Sequence, residues 1–89
     1  MDNAIELRVL TPEKELYFGQ VAGIKVPGSK GAFEILKNHA PIISALDKGK
    51  LRVNIGGQKV VKIIISGGFV ECLKNKVNIL IESGTVEED

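Results

Sequence analysis

The stretch that decides the fold is Gly31-Ala-Phe-Glu-Ile-Leu-Lys-Asn-His-Ala-Pro-Ile-Ile-Ser-Ala-Leu46. A short apolar strand runs into a polar corner, Lys37 to Pro41, and then resumes as apolar sequence. Lys37-Asn38 supplies residues that tolerate turns. Pro41 fixes its own φ, removes a backbone donor and turns Ala40 away from helix. His39 therefore sits at a bend between two strands, where a stiff sheet can present a side chain in one orientation. A lone His in a turn ordinarily caps neighbouring backbone groups, and that reading stands beside the functional one.

The same grammar of short apolar runs cut by turn residues extends in both directions. Ile5 to Val9 alternates apolar and charged residues, the pattern of a strand with one face on a core. Thr11-Pro12 ends it, and Lys14 to Phe18 gives a second short strand. Gln20 to Val26 reads as a third, with a bulge or close approach at Gly23. Beyond the corner, Asp47-Lys48-Gly49 is a turn, and Leu51, Val53 and Ile55 alternate with Lys50, Arg52 and Asn54. Gly56-Gly57 is a hairpin signal, and Val60 to Ile65 returns as a nearly continuous apolar run, which predicts a central strand covered on both faces. Phe69 to Leu73 and Val77 to Glu82 complete the set, joined at Asn75. The count is about nine strands by punctuation alone, with no helical period. The fold class is all-β, a flattened antiparallel β-sandwich or barrel.

The chain has 89 residues, which suits one domain and one core. The sandwich is expected over residues 1–83, with 84–89 as a short solvated acidic tail. Apolar residues make up 44% and charged residues 26%, a globular rather than a disordered balance. A formal net charge of +1 provides no global field for nucleic acid. Phe18, Phe33, Phe69 and Tyr17 fall mostly where core residues would, leaving little for stacking on bases. No apolar run reaches the ~20 residues of a membrane helix, and Met1-Asp2-Asn3 does not open a secretory signal, so neither membrane insertion nor secretion is expected. One His and one Cys cannot assemble a closed metal site. Cys72 is expected to pack as a small hydrophobe. No nucleophile has a base and an orienting carboxylate beside it, so neither catalysis nor a cofactor is expected of this chain alone. Ser66-Gly67-Gly68 could cradle a phosphate only if a helix followed, and none is predicted.

Several segments, taken in order, resemble one family. They are Leu7 to Glu13, Leu16 to Gly19, Val26 to Gly31, Asn38-His39-Ala40-Pro41 with Ile42 to Leu46, and Ser66 to Glu71. Together they are similar to the N-terminal β-sandwich domain of the epsilon subunit of F-type ATP synthase. The resemblance implies two five-stranded antiparallel sheets, hence about ten strands, and a non-catalytic place in the rotating central stalk between the gamma subunit and the membrane ring of c subunits. It places Thr11, Asn38, His39, Ala40, Pro41, Ile42 and Ile43 at gamma. It places Ser29, Lys30, Gly31, Ala32, Phe33 and Glu34 at the ring. The chain departs from the family pattern at Ala32, Glu34 and Lys37, and Glu34 is a candidate for the negative charge that faces basic ring loops.

The resemblance further implies a peripheral position on the cytoplasmic face of a bacterial inner membrane, as part of the complex. Many relatives continue into two helices that brake ATP hydrolysis and in some members bind ATP. Only a few residues follow Ile81 here, so neither a brake nor nucleotide binding is expected of this chain. The competing reading is a lipoyl- or biotinyl-type carrier domain modified at Lys48, whose only support is the Asp47-Lys48-Gly49 turn.

Overall fold

The computed structural model describes residues 5–87 as ten strands. They are β1 (Ile5–Leu10), β2 (Glu15–Val21), β3 (Gly23–Val26), β4 (Phe33–Leu36), β5 (Ile42–Leu46), β6 (Gly49–Gly56), β7 (Lys59–Ile65), β8 (Gly68–Leu73), β9 (Lys76–Ile81) and β10 (Gly84–Glu87). No helix occurs among the described residues. The strands form two five-stranded sheets, a front sheet ordered β2-β1-β9-β8-β5 and a back sheet ordered β10-β7-β6-β3-β4.

Period-two alternation sets the packing. On β1, Ile5, Leu7 and Val9 are fully buried while Glu6, Arg8 and Leu10 point away, and on β6 Leu51 and Val53 are buried while Lys50, Arg52 and Asn54 point away. The inner faces interdigitate as one core, with Ile24, Ile35, Ile63 and Ile79 among its fully buried side chains and no polar residue buried among those described. A shift of one residue in any of these strands would turn its apolar set into water, so the core fixes the register.

Tight geometry holds the joins between strands. Lys74 and Asn75 both take positive φ, 52° and 65°, in the two-residue turn between β8 and β9. The β6–β7 hairpin turns on Gly57 and Gln58, one residue later than Gly56-Gly57 suggested, with a register shift between Asn54 and Gly56. Gly68 has φ of 148°, and a Cβ there would collide with the carbonyl oxygen of Leu80, so no other residue fits where β8 starts against β9.

Five sequence expectations are corrected by the structure. Gln20 to Val26 is two strands in different sheets, because Ala22 donates its N–H to Asn54 O at 2.8 Å and the chain changes sheet there. The sheets are not wholly antiparallel. β1 and β9 run parallel, since Glu6 N–H bonds Asn75 O at 2.9 Å and β9 enters from the end at which β1 begins. β7 is not covered on both faces, because Val60 and Ile64 point outward and are exposed. Phe18 and Phe69 are outward rather than in the core, at 53% and 58% exposure. Gly84–Glu87 is not a solvated tail but an edge strand paired with β7, with Val86 opposite Ile63 and packed on the core. Residues 88 and 89 lie outside the described residues.

Candidate protein-binding face

The outer face of the front sheet carries the candidate site. Strand registers place Ala45 opposite Phe69, Phe69 opposite Leu80, and Leu80 opposite Leu10, giving an apolar row four strands wide. The next row runs Ile43, Glu71, Asn78, Arg8, Phe18, so apolar side chains stand at both corners around a polar centre. Ile43 is 75% exposed and Leu80 49%. Single exposed hydrophobes are ordinary; a contiguous row bounded by polar groups is the mark of a surface that another protein covers.

The polar centre is held rather than loose. Arg8 lies over the Phe18 ring at 4.8 Å, a cation–π contact, and its Nε is 3.5 Å from Glu15 Oε1. Beyond the row a shallow hollow of about 430 Å³ is lined by Leu10, Thr11, Pro12, Phe69 and Leu80 among others. Thr11 turns the chain at its rim, accepting from the N–H groups of Glu13 and Lys14 at 3.2 and 3.1 Å. Thr11 thus sits at the apolar row.

The corner does not join it. Asn38, at φ of 66°, donates its N–H to Asn75 Oδ1 at 2.7 Å, and Asn75 Nδ2 donates back to Asn38 Oδ1 at 3.2 Å. That pair ties the corner to the β8–β9 turn, at the end of the front sheet opposite Thr11, about 20 Å away at 3.3 Å per residue. His39 N–H bonds Leu36 O at 3.1 Å, and the ring Nδ1–H donates to Ala40 O at 2.7 Å, the backbone cap that a turn His ordinarily makes. Its ring lies 6.4 Å from that of Phe33. Pro41 is exposed, Ile42 turns inward against the core, and Ile43 emerges next to the apolar row. Of the residues placed at gamma, the structure therefore brings Thr11 and Ile43 to the face and leaves Asn38, His39, Ala40 and Pro41 at one end of it.

The residues placed at the ring also divide. Ser29 N–H bonds Ala45 O at 3.0 Å and Gly31 N–H bonds Gly28 O at 2.9 Å, which holds the loop at the end of the sandwich where β5 finishes. Ser29, Lys30, Gly31 and Ala32 are exposed there, and Gly31, at φ of 127°, has open space around it. Phe33 packs on the core. Glu34 lies in β4 opposite Lys25 and faces outward from the back sheet instead of projecting from the loop.

Sequence reasoning missed Leu10, Phe18, Phe69 and Leu80 as site residues. The signal was present as parity: Phe69 shares a face with Glu71, Leu80 with Asn78 and Leu10 with Arg8, and those polar neighbours mark the outward side.

Chemistry has no comparable footing. Among the described residues no group of His, Cys, Asp and Glu could hold a metal ion. Cys72 is buried and burial pushes its thiol up, away from the reactive thiolate. Lys48 lies in the link from β5 in the front sheet to β6 in the back sheet, not at the tip of a hairpin, so the carrier-domain reading has no structural support. No helix is long and apolar enough to cross a membrane among the described residues.

A two-sheet sandwich with a built apolar face is a protein-binding module. Over residues 4–86 the chain matches the beta-sandwich domain of the ATP synthase delta/epsilon chain, and it belongs to that family, whose members are subunits of a larger enzyme. It is 42% identical over 87 residues to the ATP synthase epsilon chain of Leptospira interrogans, covering 98% of this chain and 68% of that one. It is 38% identical over 81 residues to the epsilon chain of Chlorobium limicola, covering 91% and 92%. Among solved structures, a chain of the Euglena gracilis mitochondrial ATP synthase, seen with OSCP, F1 and the c-ring, superposes with a TM-score of 0.89 at 25% identity. This chain spans 58% of the length of that one. A chain from the central stalk and c-ring of the Tetrahymena thermophila enzyme, at TM-score 0.78 and 17% identity, shares the fold.

Proposed function

We propose that the chain is a non-catalytic rotor subunit of the ATP synthase central stalk, which seats the outer face of its front sheet on gamma and rests the loop of Ser29 to Ala32 on the c-ring. The apolar row of Ala45, Phe69, Leu80 and Leu10 carries the reading, because it spans four adjacent strands and no described residue covers it. The epsilon-chain relatives and the likeness to a chain of a solved ATP synthase assembly support a place in that enzyme. The loop lies at the Thr11 end of the sandwich, so one rigid body can meet gamma with a face and the ring with an end. That geometry lets torque pass through the sandwich without a hinge. The position that follows is peripheral, on the cytoplasmic face of a bacterial inner membrane. Co-expression with the gamma subunit of the same organism tests it: the two chains co-purify, and Phe69→Glu abolishes co-purification while the chain stays folded. Undiminished co-purification of Phe69→Glu would refute the face.

A further inference from the structure

The outer face of the back sheet has a pattern that neither the core nor the gamma-facing row requires. Registers place Glu87 opposite Lys62, Lys62 opposite Arg52, Arg52 opposite Lys25, and Lys25 opposite Glu34. One row across five strands therefore reads Glu, Lys, Arg, Lys, Glu, with every side chain outward. Like charges directly opposite one another weaken a sheet. Among the described residues none of the three cations lies within ion-pair distance of a carboxylate, whereas Lys50 beside them is paired with Glu87 at 3.3 Å. The row is not merely polar. Val60 and Ile64 flank Lys62 along its own strand and are exposed, and Leu36 is exposed at the edge. A shallow depression of about 190 Å³ lies on the row between Lys25, Glu34, Arg52, Asn54 and Val60.

We propose that this face docks an acidic amphipathic helix of a partner protein, independently of the front sheet. Spacing selects a helix. Lys62, Arg52 and Lys25 are separated by two inter-strand steps of about 4.8 Å, about 9.6 Å in all. Carboxylates at i, i+3 or i+4, and i+7 on one face of a helix span about 10.5 Å, so a helix lying across the strands meets the cations one for one. An extended segment repeats its side chains at about 6.6 Å on one face and falls out of step. Val60 and Ile64 receive the apolar residues that flank the carboxylates on such a helix. Glu34 and Glu87 bound the basic run at both ends, repel a longer acidic stretch and so fix where the helix sits.

The test titrates the isotopically labelled chain with a synthetic helix-forming peptide bearing Glu at i, i+4 and i+7 beside Leu. A second peptide of equal length and charge is interrupted by proline, and vesicles of phosphatidylglycerol form a third arm. Amide shifts should gather on Lys25, Arg52, Lys62 and Ile64. Arg52→Gln, an exposed change that relieves two like-charge cross-strand pairs and so leaves the melting midpoint no lower, should weaken binding at least tenfold, and so should raising salt from low to physiological strength. Shifts elsewhere on the chain overturn the proposal. So does equal affinity for the proline-interrupted peptide, an Arg52→Gln variant that binds like the parent, or binding to the vesicles alone.

Discussion

Truncating Ile43 to Ala separates the binding role of the front face from its contribution to the fold. The side chain is 75% exposed, on edge strand β5 opposite Glu71. In the isolated chain most of its surface is already in water, so removing three carbons should change stability by less than about 0.5 kcal/mol. Against gamma the same carbons would be buried. At about 0.8 kcal/mol per methylene, and with a quarter of the surface already covered, the loss is about 2 kcal/mol, or roughly thirtyfold in Kd. Ile43→Glu should cost more, since it adds a second carboxylate beside Glu71 and strands both in an apolar contact. Calorimetric titration against purified gamma measures the Kd, and a thermal melt of each variant checks that the fold is intact. An Ile43→Ala variant that melts and binds within twofold of the parent would refute the reasoning, because no buried isoleucine can be shortened so cheaply.

Three further outcomes follow from the packing. Gly68→Ala should lower stability by about 2–4 kcal/mol in urea unfolding, since the new Cβ meets the Leu80 carbonyl at a φ of 148°, and an unchanged midpoint would contradict the β8–β9 geometry. Asn75→Gly keeps the positive φ but removes the acceptor for Asn38 N–H, so it should cost about 1 kcal/mol, and Asn75→Ala about 1 kcal/mol more; equal melting of the two variants would show that the backbone conformation is irrelevant. Burial raises the Tyr17 hydroxyl above its usual value, so the folded state holds that proton longer than the unfolded chain does. Its contribution is complete below about pH 10 and declines as pH rises beyond it, and Tyr17→Phe should flatten that alkaline decline in a series of melts.

The fold was legible because its strands announce themselves in period two and its turns in glycine, asparagine and proline. Leu51, Val53 and Ile55 against Lys50, Arg52 and Asn54 needed only the alternation rule, and the corner at Lys37 to Pro41 needed only local chemistry. What stayed hidden was set by tertiary partners. Gly84–Glu87 becomes a strand because Ile63 and Ile65 offer it an edge, which its acidic composition does not reveal. The parallel pairing of β1 with β9 depends on which end the β8–β9 hairpin returns to, a fact of topology rather than of pattern. Aromatic residues usually face a core, whereas the parity of Phe18 with Arg8 across β1–β2 and of Phe69 with Glu71 along β8 turns both outward. Glu34 adjoins a loop in sequence, whereas its strand register joins it to Lys25 on the back sheet. Of the seven residues that the resemblance places at gamma, Thr11 and Ile43 stand at the proposed face, and the apolar centre of that face came only with the strand order.

The most direct test of the account maps the gamma contact onto the sandwich, by recording the amide spectrum of the labelled chain with and without the gamma subunit. Shifts and broadening should concentrate on Leu10, Thr11, Ile43, Ala45, Phe69 and Leu80, with Lys25, Arg52 and Lys62 left in place. Perturbation confined to the outer face of the back sheet, or none at saturating gamma, would contradict it.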